Sequence, residues 1–195
     1  MKSRREEYAE QTKNALIEEA CLLFAEKGYN KTSIDEVAKN ARVTKGALYH
    51  HFAKKEVLFE AAYQKQIEEL KKFVLATIKD ISDPWERTIV GCEAFIKFGI
   101  DSKQKRISLQ DAISTLGWNA WRQLDSNYTM GLVEEIVSDL IKNQEIKPYS
   151  ASIAADLIYS LLVEAAMTIS RAKGKKKVRE ETLSIIIDMM KGLRM

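Results

Sequence analysis

The sequence predicts an all-α protein, and three features predict it. Only two prolines and eight glycines interrupt 195 residues. Ala, Leu, Ile, Glu and Lys dominate, residues that lose little freedom in a helix. Apolar side chains recur at three- and four-residue spacing along successive stretches, the period of one buried helix face, and the pattern divides into about nine helices.

The first helix is expected from about Glu7 or Thr12 to Lys27, with Leu16, Ala20, Leu23 and Phe24 on one face and Gly28 ending it. Between Lys27 and Lys55 two short helical patterns follow, joined by a tight turn. Thr32 or Ser33 caps the first, since Thr32…Asp35 and Ser33…Glu36 both have capping-box spacing, and Ile34, Val37, Ala38 and Ala41 share its apolar face. The second begins at Thr44. Ala47, Leu48, His51 and Phe52 point inward from it, leaving Lys45, Gly46, Tyr49 and His50 on the outer face. This is a helix-turn-helix, and the outer face is the one that would enter a DNA groove. Arg42, Lys45, Lys54 and Lys55 surround it, a footprint suited to neutralising phosphates, whereas the formal net charge of +3 says little.

A long helix runs from near Lys54 to Lys79. Asp83 then caps a helix whose first residue is Pro84, where the missing N–H costs nothing, and which reaches Gly99 or Asp101. Ser102 to Arg106 reads as an exposed turn. Amphipathic patterning resumes at Ile107, breaks at Leu116-Gly117-Trp118 and continues to Asn143; helices from Ser150 to Arg171 and from about Val178 to Leu193 close the chain, with Ala172 to Lys177 as a loop.

The stretch G-Y-x-x-T-S-I-D-E-V-A-K-x-A-x-V-T-K-G-A-L-Y-H-H-F-x-x-K-E-x-L-F resembles the DNA-binding domain of TetR-type transcription regulators, almost continuously from Leu16 to Tyr63. The resemblance implies a DNA-binding domain over 1–62 and an effector-binding and dimerisation domain over 63–195. It implies that Thr32, Tyr49, His50 and Lys55 clamp phosphates, and that Lys45, Gly46 and Ala47 lie nearest base edges. Ser33, Arg42, Thr44 and Lys54 complete the expected DNA-facing set. The family usually has glycine where this chain has Arg42. If that residue is left-handed, its side chain costs roughly 1 kcal/mol relative to Gly; either the turn is rebuilt or a phosphate contact by Arg42 offsets the cost.

Beyond Tyr63, Asp111 to Asp125 with Leu116-Gly117-Trp118…Trp121-Arg122 resembles one TetR-type subset, in which proline often stands where this chain has Ile113, and Leu161 to Met167 resembles the same subset's penultimate helix. Glu164 shares a helical face with Ile153, Leu157, Leu161 and Thr168, so it needs a partner such as Arg122 or a ligand. Phe95, Phe98, Trp118, Trp121 and Tyr128, with Arg122 and Glu164, form the candidate effector pocket, although aromatics at helical spacing are more often plain core. By family analogy the last two helices pair with their copies in a homodimer. Val178, Leu183, Ile186, Ile187, Met190 and Leu193 form the stripe expected there.

The two cysteines, Cys21 and Cys92, form no Cys-x-x-Cys pair, and no signal peptide or membrane span is read, so a cytoplasmic protein is expected. His50 and His51 are the only histidines and as helix neighbours cannot chelate one metal together. No cofactor, metal or catalytic residue is expected. The function so implied is a repressor that binds a palindromic DNA operator as a dimer and is released by a small molecule. The alternatives are a DNA-binding regulator without an effector and a helical enzyme carrying a DNA module.

Overall fold

The structure, a computed structural model, describes residues 3–100, 106–172 and 175–195. Among these the chain forms nine helices and a single isolated β-bridge, Ile146 with Arg194. In order they are α1 (Arg4–Lys31), α2 (Ile34–Asn40), α3 (Lys45–His51), α4 (Lys55–Ile78), α5 (Pro84–Ile100), α6 (Leu109–Leu116), α7 (Trp118–Lys142), α8 (Ala151–Arg171) and α9 (Lys175–Lys191).

The helices fall into two compact units. The first takes residues 3–66 with 106–122, the second 67–100 with 123–172 and 175–195. Both α4 and α7 therefore contribute residues to each unit.

In the first unit α1 begins at Arg4, earlier than the periodicity suggested, because Ser3 and Glu6 form a capping box: Glu6 N–H donates to Ser3 Oγ (3.3 Å) and Ser3 N–H to Glu6 Oε2 (2.7 Å). Gly28 takes φ 76°, a left-handed conformation that interrupts α1 where a stop was expected. Leu16, Ala20, Leu23 and Phe24 form the buried stripe of α1, and α1 packs on α2, α3 and α6. Gln66 ties α4 to the segment before α6 by two bonds, donating to Ile107 O (2.9 Å) and accepting from Ile107 N–H (2.8 Å).

In the second unit α8 packs against α5 and α9, with Ala155, Ile158, Tyr159, Leu162, Val163, Ala165 and Ile169 buried. This helix is apolar enough and long enough to span a bilayer by length and composition (mean hydropathy 1.5), although no membrane span is expected from the sequence. Its buried face supplies this core, while its opposite face leaves Ile153 and Leu157 exposed. Asp83 caps α5 through Glu86 N–H (2.6 Å), as the Asp-Pro pair predicts. Lys147 N–H donates to Leu193 O (3.1 Å) and Arg194 pairs with Glu145, latching the C-terminal residues to the segment before α8. The described part of α9 starts at Lys175, inside the stretch read as loop. Of the turn expected at Ser102 to Arg106, all but Arg106 lies outside the described residues.

Candidate nucleic-acid interface

Two seven-residue helices and a four-residue turn build the interface. Ser33 caps α2 by accepting Glu36 N–H (3.1 Å), and Thr44 caps α3 by accepting Ala47 N–H (3.1 Å). Between them Val43 N–H reaches Ala38 O (2.9 Å) and Arg42 N–H reaches Lys39 O (3.1 Å), the paired bonds of a Schellman stop. Its left-handed position is occupied by Arg42 at φ 58°. The turn is thus intact, with an arginine where glycine would be unstrained, and the Arg42 side chain is exposed. Arg42→Gly should therefore raise unfolding stability by about 1 kcal/mol. If denaturant titration finds no gain, the turn relaxes elsewhere.

Leu48 and Phe52 are fully buried beneath α3, Ala47 and His51 partly so, and Lys45, Gly46, Tyr49 and His50 face solvent together. A Cβ added at Gly46 would meet only Thr44 Oγ1 at 3.9 Å, so internal packing does not demand glycine there; a close external approach would use the missing side chain. Lys45 Nζ pairs with Asp35 Oδ1 at 2.7 Å across the two helices, which holds its ammonium above the usual lysine range. His51 is held below the ordinary histidine range, first by burial, then by His50 and Lys13.

Thr32 occupies a different place from the phosphate clamp that was expected. It is 2 % exposed, and its hydroxyl lies within donating distance of Leu23 O (3.1 Å) and Gly28 O (2.9 Å). It fastens the end of α1 to the start of α2. Lys54 is exposed, whereas Lys55 is half-buried with its ammonium 4.2 Å from the centre of the Tyr29 ring. Burial lowers the Lys55 pKa and raises that of Tyr29, and the nearby Glu56 carboxylate raises Tyr29 further. Tyr29 and Asp35, which position the two lysines, were not singled out from sequence. The capping-box spacing had marked Asp35 only as a helix-start residue.

The candidate effector residues scatter. Phe95 lines a narrow cavity in the second unit, of about 50 Å³, whose wall comes from α4, α5, α7 and α8. Phe98 packs on Phe73 (5.8 Å between centroids), and Tyr128 is half-buried; neither is in that wall. Trp118 is 56 % exposed; Trp121 is buried and donates its indole N–H to Tyr63 Oη (3.1 Å); with Arg122 both belong to the first unit. Glu164 requires a correction. Its carboxylate pairs with Arg171 (2.8 Å), not Arg122, and stands on the exposed face of α8. The apolar face it shares is the outer one, so a seven-residue ion pair in solvent satisfies it.

That outer face belongs to a groove between α8 and α9 lined by Tyr149, Ile153, Leu157, Leu161, Met189 and Leu193, with Ile185 of α9 also exposed. Among the described residues no group of three His, Cys, Asp or Glu is placed to hold a metal ion.

Comparison with known proteins agrees with this layout. Residues 16–62 match the family described as bacterial regulatory proteins, tetR family, and residues 85–193 match the tetracyclin repressor-like C-terminal domain. The Transposon Tn10 TetC protein of Escherichia coli is 31% identical over 180 residues, covering 92% of this chain and 89% of that protein. A crystal structure of a TetR-family transcriptional regulator from Pectobacterium atrosepticum superposes with a TM-score of 0.85 at 27% identity, covering 99% of this chain and 98% of that one. RolR, solved with the ligand resorcinol, shares the fold at 16% identity (TM-score 0.75, 94% of this chain, 89% of that one). With a helix-turn-helix and a C-terminal helical domain both matched, the chain belongs to the TetR family of transcription regulators.

Proposed function

We propose that the protein is a homodimeric repressor that binds a palindromic operator through α3 and is released when a small molecule enters the second unit. The observation that carries the effector half of this reading is the apolar cavity walled by Leu70, Val74, Phe95, Leu132, Ile136 and Tyr159. Ligand sites are mostly apolar concavities with few polar groups, which is the character of this lining. The helix α4 starts at Lys55, beside the recognition helix, and ends in that wall, so occupancy of the cavity has a covalent route to the reading head. An effector must favour the low-affinity arrangement, since equal affinity for both would shift nothing. That RolR was crystallised with resorcinol supports a ligand-responsive reading by analogy. The dimer half rests on the α8–α9 groove, an exposed apolar surface of the kind that marks an interface.

On this reading residues 1–62 are the DNA-binding domain, 63–195 the effector and dimerisation domain, and the protein works in the cytoplasm. Lys55, Tyr49, His50 and Lys54 meet phosphates and Lys45, Gly46 and Ala47 approach base edges, while Thr32 acts from inside as a positioning residue. Lys55→Ala should weaken binding to all sequences alike and lower the salt slope by about 1. Lys45→Ala should instead change sequence preference, an effect read by anisotropy titrations on an operator panel. Footprinting that showed one asymmetric half-site protected by a monomer would overturn the dimeric reading, since two half-sites about 34–36 Å apart are expected.

A further inference from the structure

Resting on the reading of the second-unit cavity as the effector site, we infer that its ligand is a slim apolar molecule carrying one negative charge, with its anionic head at Lys71. The cavity is narrow and presents no polar surface, so the body of the ligand is hydrocarbon. The two threonine hydroxyls in the wall are already engaged. Thr88 Oγ1 donates to Pro84 O (2.8 Å), and Thr129 Oγ1 donates to Asp125 O (2.6 Å). The Cys92 thiol, fully enclosed, is pushed up to about 12 by burial and stays neutral. Among the described residues no aspartate or glutamate lines the wall. Asp125, buried on α7, lies outside the lining, and its Oδ1 sits 3.1 Å from the Thr129 hydroxyl. A cationic ligand would therefore enter without a counter-charge, at a large desolvation cost.

Among the described residues Lys71 is the one charged residue of the wall. Lys71 lines the cavity and is half-buried, while the lining surface is wholly apolar, so it contributes its stem; a long basic side chain over apolar surface ordinarily carries its ammonium out toward water. It makes no ion pair with any described residue, so its charge is available to a carboxylate or similar group. A second feature keeps the space open. Gly91 lines the cavity inside α5, where a Cβ would meet Ile78 Cγ2 at 3.7 Å and Val74 Cγ1 at 4.0 Å, ordinary contacts that a small side chain tolerates. The absence of a larger side chain there leaves room along the wall.

Three probes of one chain length test this: octanoate, 1-octanol and octyltrimethylammonium, each titrated calorimetrically into the dimer and its Lys71→Gln and Gly91→Leu variants. Octanoate is expected to bind tightest, with the cation roughly tenfold or more weaker. Lys71→Gln should weaken octanoate roughly tenfold and leave octanol unchanged, the effect of one charge-assisted bond. Gly91→Leu fills the wall and should abolish binding, whereas Gly91→Ala retains it. If octyltrimethylammonium or octanol equals octanoate in a Gly91→Leu-sensitive manner, or if Lys71→Gln leaves octanoate unchanged in that manner, the anion assignment falls while the cavity stands as an effector site. If no probe binds, or if binding survives Gly91→Leu in a variant of unchanged circular dichroism, the cavity reading falls with it.

Discussion

Leu157→Glu is expected to convert the protein to monomers and to reduce operator affinity by roughly 10²–10⁴-fold, the advantage that two linked reading heads have over one. Leu157 is 64 % exposed and Ile153 62 % exposed on α8, with Ile185 at 54 % and Met189 at 52 % on α9. Leu157, Ile153 and Met189, together with Tyr149 and Leu161, line a groove of about 370 Å³. A lone chain would hold this apolar surface in water, and a carboxylate placed at its centre would face its own copy across a two-fold interface. Because Leu157 lies outside the core of its own chain, the variant should keep its helical content. Ile187→Glu is less discriminating, since Ile187 is half-buried and its loss would mix interface and core effects. Sedimentation equilibrium decides the matter. An unchanged dimer would place the interface on another surface.

The difference between the two halves of this molecule in sequence legibility has a physical basis. The reading head depends on local rules: Ser33, one of the two caps the spacing allows, and Thr44, where the second helix is expected to begin, both cap through their own side chains, and Leu48 and Phe52 are buried by helical spacing alone. Even the odd residue, Arg42, was legible as a candidate for left-handed strain, and the Schellman bonds show the turn kept rather than rebuilt. Thr32 was misplaced because its partners, Leu23 O and Gly28 O, depend on how Gly28 bends the end of α1. The cavity wall is a different problem. Leu70, Gly91, Leu132 and Ile158 come from four helices, and each has the pattern of ordinary core in its own helix. Nothing in the period distinguishes a side chain that touches a neighbour from one that faces a void. Glu164 shows the converse: its apolar neighbours were seen, but the pattern carries no sign of whether that face turns inward or outward.

Phe59→Ala should destabilise the first unit by about 3–5 kcal/mol, a large fraction of the roughly 5–15 kcal/mol that holds a typical domain together. Phe59 is fully buried at the start of α4, and its ring meets Phe24 edge-on at 5.0 Å and Tyr29 edge-on at 5.2 Å. Tyr29 in turn lies 5.9 Å from Phe24 and carries the Lys55 ammonium 4.2 Å above its ring. Truncation at Phe59 therefore opens a cavity beneath Tyr29, the ring on which Lys55 rests, and operator binding should fail at temperatures where the parent protein binds. Native-state hydrogen exchange reads the two units separately. Amides of α1, α2 and α3 should lose protection while those of α8 and α9 keep it; a uniform loss would show that the units unfold as one. A second variant separates the core effect from the interface effect. Tyr29→Leu preserves apolar volume but removes the ring under Lys55, a cation–π contact of about 0.5–1 kcal/mol at an exposed site. It should weaken operator affinity several-fold on every sequence with little change in the denaturation midpoint. A Tyr29→Leu protein with unaltered operator affinity would show that Lys55 reaches its phosphate without that support.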